Sequence, residues 1–352
     1  MALAPVRETE ASAEPASASV AIVSVDRPAA VLAEAHATLA QDGRSFALAG
    51  RLLPQSMRDD AAIVYAFCRL VDDAADEAPN RAEALIALDA LQAELEGRVP
   101  RRPLVAAVCA VFARREVPEE AATELLRGVR GDIGDRAGAL TVADDAELLR
   151  YAYRVAGTVG LMMCGVLGVR DREAWAGAID LGVAMQLTNI ARDVRADAAL
   201  GRVYLPRTRL LAHGVTPEEL LACTPEAAPS DVRLAVRAVV GELLALAERY
   251  YRSADAAMAA IPLRPRLAIA AAARIYRAIG PRLLRRHGGD ALHGRTVVPT
   301  PARLFWLVAG VAFAMRAASA RAQHAPALHQ ALRGLPGCDE GPATREARRL
   351  SA

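Results

Sequence analysis

Hydrophobic positions in the middle of the chain recur with the spacing of α-helices. From residue 58 to residue 321, apolar side chains return every three or four positions, which lines them up on one helix face. No segment alternates apolar and polar residues convincingly, as a half-buried strand would. The pattern predicts helices over residues 58–76, 81–96, 103–115, 144–167, 173–199, 231–260, 266–284 and 301–321, and one more that opens at residues 117–120.

The chain divides into three predicted parts. Residues 1–30 mix Ala, Ser, Pro and Glu and predict a disordered N-terminal extension. Residues 31–320 hold the periodic segments without a repeat or a long linker, so we expect one all-α domain, a helical bundle around a central cavity. Residues 321–352, rich in Ala, Arg, His and Gly, predict a flexible C-terminal tail.

Composition narrows the range of functions. The chain contains no lysine, which excludes Schiff-base chemistry and a P-loop, whereas arginine can still hold phosphate oxygens. The 43 basic and 41 acidic residues give a net charge of +2, which offers no general attraction for nucleic acid. The five cysteines form no CxxC pair, so a reducing compartment fits and we expect a cytoplasmic protein.

One apolar segment has two interpretations. Residues 304–315 form the longest clean apolar run, between Arg303 and Arg316. The run is shorter than the roughly 20 residues that a membrane span needs. We favour a core helix, and the alternative is a helix that lies peripherally against a membrane surface.

Two segments place acids on otherwise apolar helices, and we call them the acidic stations. The first station is Asp72 and Asp76, which are four positions apart and therefore share one helix face. Arg69 lies one turn before Asp72. The second station, Asp193 and Asp197, lies on the predicted helix 173–199.

The second station belongs to a longer polar stripe. Polar or small residues spaced by four, three, four and four positions form this stripe: Gly182, Gln186, Asn189, Asp193 and Asp197. Polar groups on an apolar helix are costly to bury unless something pairs with them. The stripe therefore predicts a binding partner for its oxygen atoms.

A shared cation is the partner that the two stations favour together. Either acidic pair alone would be an ordinary solvated surface, but four converging carboxylates repel one another unless a cation neutralises them. Mg²⁺, with Mn²⁺ as a second option, takes oxygen ligands and bridges carboxylates to substrate phosphates. Arg69, Arg192 and Arg202 flank the stations and can form charge-assisted hydrogen bonds with phosphate oxygens.

The residues around both stations resemble signatures of the squalene/phytoene synthase family. Residues 65–77 are similar to its first aspartate-rich motif, and the resemblance covers about residues 39–315. Two further signatures are matched by Leu181-Gly182, Gln186, Asn189-Ile190, Arg192-Asp193-Val194, Asp197, Arg202, Tyr204 and Pro206, and by Tyr151-Ala152, residues 155–160, Met163 and Val166.

This resemblance implies a fold and a reaction. The fold is that of the isoprenoid synthases, a class I terpenoid synthase-like bundle. The reaction is an Mg²⁺-dependent, head-to-head condensation of two prenyl diphosphates through a cyclopropyl diphosphate. In the carotenoid branch of the family, two geranylgeranyl diphosphates give phytoene, and no NADPH is expected.

The resemblance also implies a role for individual residues. It implies that the metal ligands are Asp72, Asp76, Asn189, Asp193 and Asp197, and that the same four aspartates act in catalysis together with Tyr151. The residues implied to contact the diphosphate are Arg69, Arg192, Arg202, Tyr276, Arg295 and Ser45. The cavity walls are implied to include Phe46, Tyr65, Val155 and Gln186.

Two alternatives remain at this point. A C30 enzyme of the same family would make dehydrosqualene, squalene or hydroxysqualene from farnesyl diphosphate, because chain length depends on cavity depth. A catalytically silent helical scaffold or assembly factor is the alternative of another class. Such a protein is expected to lose acids from one station, whereas both stations are complete here.

Overall fold

The computed structural model describes residues 27–133, 140–171, 173–223, 228–316 and 324–338. These residues are almost entirely helical, so the all-α prediction is confirmed. The α-helices are α1 (Arg27–Asp42), α2 (Arg44–Gly50), α3 (Gln55–Asp76), α4 (Arg81–Leu95), α5 (Pro103–Arg115), α6 (Glu119–Asp132), α7 (Asp145–Ala152), α8 (Thr158–Val166), α9 (Glu173–Ala199), α10 (Arg207–Ala212), α11 (Pro217–Ala222), α12 (Ser230–Ala257), α13 (Leu263–Arg277), α14 (Ile279–His287) and α15 (Thr300–Arg316).

Helix α9 is the central element of the bundle. Helices α8, α12 and α13 pack along it, and so does a π-helical turn, Tyr153–Gly157, which joins α7 to α8 and which we call the π turn. Ile179 and Leu187 of α9 and Val239 and Leu243 of α12 have no exposed surface. Since α9 is covered on several sides, its polar stripe lies within the bundle rather than on an outer face.

Helix α3 carries the first station and packs on α1, α4, α5, α6 and α8. Its buried residues Val64, Phe67 and Val71 recur every three or four positions, which explains why this segment folds as an amphipathic helix. Helix α8 contacts both α3 and α9 and therefore holds the two acid-bearing helices in one assembly.

Two glycines allow α9 to approach its neighbours closely. A Cβ atom at Gly182 would overlap the carbonyl of Ala156 in the π turn, and one at Gly160 of α8 would overlap the carbonyl of Ala178. Any larger residue would push the two backbones apart, because packed interiors tolerate little added volume. The glycines thus fix the distance between the polar stripe and the π turn.

Several element boundaries differ from the prediction. The predicted helix 144–167 is interrupted by the π turn, and the predicted helix 266–284 is divided at Ala278 into α13 and α14. Two strands, β1 (Leu140–Thr141) and β2 (Arg202–Val203), pair in parallel with Leu140 opposite Arg202. Strands of two residues are too short to show the alternation that reveals a strand in sequence.

Helix α15 corrects the interpretation of the apolar segment 304–315 as a core helix. Gly310 and Ala314 are buried, and α15 packs on α13. The opposite face is apolar and exposed: Leu304, Phe305, Val308 and Met315 are 60–63% exposed. Within the described ranges, no helix is both long and apolar enough to cross a membrane.

The described part of the predicted tail is ordered. Residues 324–338, which we call the strap, contain a 3₁₀ helix, Pro326–Leu332, and bury Leu328, Leu332 and Leu335 in the main core. The prediction of a flexible tail is therefore wrong for these residues. The prediction rested on the polar composition of the segment and gave no weight to its three leucines, which pack into the core. At the other end, α1 begins at Arg27, while residues 1–26 and 339–352 lie outside the described part.

Candidate active site

The two acidic stations lie on either side of two residues, Asp132 and Arg202. Arg202 donates from Nη2 to Asp76 Oδ1 at 2.9 Å, which connects β2 to the first station. The charge of Arg202 also acts on Asp197 of the second station, and the charge of Asp132 acts on both Asp72 and Asp197. Stations that are far apart in sequence therefore meet in one electrostatic environment.

A tight turn after α9 brings Arg202 to this position. Gly201 has φ of +72°, a backbone conformation that residues with a side chain rarely adopt. The Leu140 amide donates to the Gly201 carbonyl at 3.0 Å, and the Val142 amide donates to Val203 at 3.2 Å. The short β1–β2 pair thus fixes the turn and directs Arg202 towards the end of α3.

Burial and mutual repulsion raise the pKa of three carboxyl groups. Burial, with further contributions from Asp76 and Asp132, raises the pKa of Asp72 to about 7 although Arg69 opposes it. Burial and the neighbouring Asp193 raise the pKa of Asp197 to about 7, and burial raises that of Asp132 to about 6. Because burial is the main cause, a ligand that brings positive charge to these acids would stabilise their ionised form.

Asp132 also organises a pair of tyrosines. The Tyr151 hydroxyl donates to Asp132 Oδ2 at 3.1 Å and the Tyr204 hydroxyl donates to Oδ1 at 2.8 Å. The two rings stack with centroids 4.8 Å apart. Asp132, at the end of α6, thereby holds Tyr151 within the acidic environment.

Sequence reasoning missed Asp132, although a signal was present. The buried residues Leu125 and Val129 lie seven and three positions before Asp132, so the acid continues the apolar stripe of α6. An acid in line with a buried stripe is the same signal that identified the two stations. It was overlooked because Asp132 is a single acid at a helix end.

Arginines surround the second station. Buried Arg192 donates from Nε to Asp193 Oδ1 at 2.8 Å, and Arg295 Nε lies 3.2 Å from the same oxygen. The Arg192 and Tyr276 side chains also share a hydrogen bond. Arg192, Arg295 and Tyr276, which lie far apart in sequence, therefore meet at Asp193.

Aromatic rings join the second station to α2 and α3. Phe46 stacks on Tyr276 with centroids 5.4 Å apart and lies 6.3 Å from Tyr65. Ser45 precedes Phe46 on α2 and is half-buried. The structure thus brings Phe46, Tyr65 and Tyr276 together, as expected for one wall of a cavity.

The remaining predicted residues lie nearby. Arg69 pairs with Asp73 at 2.6 Å, and its charge also acts on Asp72. Val155 belongs to the π turn and is partly buried against the main core. Gln186 accepts a hydrogen bond from Asn189 at 3.3 Å on the polar stripe.

One oxygen of the stripe is available for a ligand. Asn189 Oδ1 is buried and has no hydrogen-bond partner among the described residues. Buried polar atoms are almost always paired, so an unpaired amide oxygen beside carboxylates suits a hard cation. Together with the raised carboxyl pKa values, this oxygen indicates that the residues present fit a divalent ion.

The stations do not converge on a single ion position. In the described part of the chain, the side chains whose ligand atoms lie within 4.8 Å of one another are Asp180, His324 and His329, a cluster that sequence reasoning missed. Among the described residues, no three acids of the stations bring their oxygens that close together.

Two pockets border this region. A pocket of about 260 Å³ is lined by Asp132 and Arg202, together with Ala75 near the end of α3 and Leu200 just after α9. A larger pocket of about 480 Å³ lies among α1, α3 and α5, with Arg69 and Asp73 on its wall. We locate the site by the convergence of acids, arginines and tyrosines, because the larger pocket lies to one side of that convergence.

Comparisons with known proteins identify the family of the chain. Residues 39–302 match the squalene/phytoene synthase family. A 15-cis-phytoene synthase of a Paracoccus species is 40% identical over 278 residues, which cover 76% of this chain and 86% of that protein. The phytoene synthase of Cereibacter sphaeroides is 39% identical over 274 residues, 75% of this chain and 74% of that protein.

A solved structure extends the comparison to the fold. A dehydrosqualene synthase, crystallised with a ligand, superposes with a TM-score of 0.72 at 28% identity, and the match covers 83% of this chain and 99% of that one. The helical bundle and this superposition place the chain in the class I terpenoid synthase-like fold. The chain belongs to the squalene/phytoene synthase family.

The crowded carboxylates predict an unusual pH dependence of stability. The folded pKa values of Asp72, Asp132 and Asp197 lie above the ordinary value of an aspartate, so the folded state binds more protons than the unfolded state between about pH 4 and 7. Without divalent ions, the unfolding temperature should therefore rise by a few degrees as pH falls from 8 to 6.

Two variants separate this effect from others. Asp132→Asn should reduce the difference between pH 8 and pH 6 in a thermal scan with a chelator. Asp290→Asn is the matched control, because Asp290 is buried against Arg233 and Arg237 and its pKa is lowered. An unfolding temperature that falls between pH 8 and pH 6 in the native chain would contradict the convergence of the acids.

Proposed function

We propose that this protein condenses two geranylgeranyl diphosphates head to head, through a cyclopropyl (prephytoene) diphosphate, to give phytoene, the first committed step of carotenoid biosynthesis. The observation that supports this proposal is the meeting of two acidic stations around Arg202 and Asp132. The family match and the curated relatives called phytoene synthase support the reaction type and the product.

The acids of the two stations would hold the divalent cations that bind the diphosphate groups. Asp72, Asp76, Asn189, Asp193 and Asp197 would hold Mg²⁺, or Mn²⁺ in its place, through the oxygens that face the site. Bound there, Mg²⁺ supplies the positive charge that stabilises a departing diphosphate.

The arginines complete the diphosphate site. Arg192 and Arg295 approach one oxygen of Asp193, and Arg202 approaches Asp76. In this proposal a diphosphate oxygen binds each guanidinium, either beside the carboxylate or in its place. Arg69, Ser45 and Tyr276 lie at the edges of the same region and contact the diphosphate in this proposal.

In this proposal, Tyr151 is the polar side chain that lies beside the reacting carbons of the substrate. Its hydroxyl proton is held by Asp132, so the oxygen keeps one orientation while its ring stacks on Tyr204. A fixed hydroxyl can stabilise a developing positive charge without the reorganisation that water would require. The Tyr151 hydroxyl therefore provides a dipole of fixed orientation, and Asp132 positions this hydroxyl.

The cavity must exclude water, since water would trap a carbocation. Helix α8 suits this need because it is built from small and apolar residues. Its one hydroxyl, that of Thr158, donates to the Arg154 carbonyl at 2.6 Å and is therefore occupied. Val155, Gln186, Phe46 and Tyr65 form further walls in this proposal.

The choice of substrate length is the specific alternative. The dehydrosqualene synthase that resembles this chain is named for a C30 product, and a C30 activity from farnesyl diphosphate would use the same charged site. The curated relatives at 39–40% identity are named for phytoene, and for that reason we propose the C40 substrate.

Purified protein incubated with Mg²⁺ and geranylgeranyl diphosphate should give phytoene without NADPH. A parallel incubation with farnesyl diphosphate should give at least tenfold less condensed product, and chromatography of the extracted hydrocarbons measures both. Preferential use of farnesyl diphosphate would replace the C40 assignment by the C30 alternative. Product in neither incubation would favour the silent scaffold.

We also propose that α15 contacts a bilayer surface peripherally. Its exposed face carries Leu304, Phe305, Val308 and Met315, and Arg316 lies at its exposed end. An apolar face with arginine beside it is the arrangement by which helices lie in the interface of an anionic membrane. Such contact would deliver apolar prenyl chains to the cavity and release an apolar product into lipid.

Vesicle flotation tests this contact. The native chain should float with vesicles that contain anionic phospholipid, and the double variant Phe305→Ser, Val308→Ser should bind several-fold less. Ile86→Ser is the matched control, because Ile86 is 66% exposed on α4, which packs elsewhere in the bundle. Equal flotation of the double variant and the native chain would exclude α15 as the contact.

A further inference from the structure

The strap, residues 324–338, crosses the outer side of the helices that build the site. It lies beyond residues 39–302, the range that matches the family. The 3₁₀ helix of the strap packs on α7, and its leucines join the main core. The strap therefore packs on the helix that carries Tyr151.

A buried carboxylate fastens the beginning of the strap. Asp180 of α9 has no exposed surface, and each of its oxygens faces one histidine of the strap. His329 Nε2 lies 2.8 Å from Oδ1, and His324 Nδ1 lies 2.9 Å from Oδ2. These are hydrogen-bond lengths, so the cluster is complete without an ion.

Hydrogen bonds from three helical segments hold the rest of the strap. Tyr250 of α12 donates to the Leu328 carbonyl at 2.8 Å, and Arg150 of α7 donates to the Ala331 carbonyl at 2.9 Å. Tyr153 of the π turn donates to the Pro336 carbonyl at 2.6 Å. Tyr153 and Tyr250 are both fully buried.

The anchors on either side of Tyr151 are the informative ones. Arg150 and Tyr153 reach outward to the strap, whereas Tyr151 between them reaches Asp132 in the site. A π-helical turn departs from regular α-helical hydrogen bonding and is often found at functional sites. An irregular turn needs external contacts to keep one register.

Other contacts hold the remaining sides of the π turn. A Cβ atom at Gly128 of α6 would lie 3.0 Å from Val155 Cγ1, and Gly182 of α9 allows the carbonyl of Ala156 to approach. Helices α6 and α9 therefore hold two sides of the turn, and the strap holds the outer side.

We propose that the strap positions Tyr151: Tyr153, bonded to Pro336 and secured by the Asp180–histidine cluster, fixes the register of the π turn so that the Tyr151 hydroxyl meets Asp132. Tyr153 is thus a positioning residue that acts through Tyr151. The inference deepens the proposed function, since it rests on the role assigned there to Tyr151.

Two buried tyrosines bind the strap from different elements, Tyr153 from the π turn and Tyr250 from α12. Tyr153→Phe should lower kcat about tenfold with the KM for geranylgeranyl diphosphate within twofold, because the diphosphate site is untouched while a reacting group is misplaced. Tyr250→Phe removes an equally buried hydroxyl that binds the strap from α12 and does not belong to the π turn. This variant should leave kcat within twofold. Asp180→Asn removes the charge that holds both strap histidines and therefore loosens more of the strap than the loss of one neutral hydroxyl, so it should resemble Tyr153→Phe.

Amide hydrogen exchange supplies a readout that does not depend on turnover. Peptides covering residues 148–157 should exchange faster in Tyr153→Phe and Asp180→Asn, and at the native rate in Tyr250→Phe. Native exchange in all three variants, or equal kcat losses in Tyr153→Phe and Tyr250→Phe, would overturn the proposal. If the native chain makes no phytoene, the proposed function fails while the exchange data still decide whether the strap holds the turn.

Discussion

The structure depends on the burial of carboxylates in a largely apolar bundle, where neighbouring acids add to the cost of their charge. Burial raises the pKa of Asp72, Asp132 and Asp197, so each acid is poorly solvated and lies close to others of the same charge. Arginines offset part of this charge, but Arg202 and Arg192 are each occupied by one carboxylate. A site built in this way gains stability from a multivalent cation and its anionic ligand.

The fold maintains this arrangement through close backbone contacts rather than through bulky side chains. Gly182 and Gly160 let α9 approach the π turn and α8, while the β1–β2 pair returns Arg202 to the first station. The strap adds a support on the outer side of the same wall. Close backbone contacts on one side and hydrogen bonds from the strap on the other therefore hold the π turn in place.

Sequence periodicity predicted the helices and both stations, because acids on an apolar stripe stand out against a 3.6-residue repeat. Asp132 escaped notice since one acid at a helix end looks like an ordinary cap. The β1–β2 pair was too short to leave a pattern. The strap was missed because its order arises from partners distant in sequence, such as Asp180 and Tyr153, and composition alone indicated a loose tail.

Titration of inorganic pyrophosphate by calorimetry tests the central claim most directly, because it measures the shared cation site without requiring turnover. In the presence of Mg²⁺, we predict binding to the native chain and loss of binding in both Asp72→Ala and Asp193→Ala, with helicity unchanged by circular dichroism. Binding that persists without Mg²⁺, or that survives either substitution, would contradict the convergence of the two stations on one metal–diphosphate site.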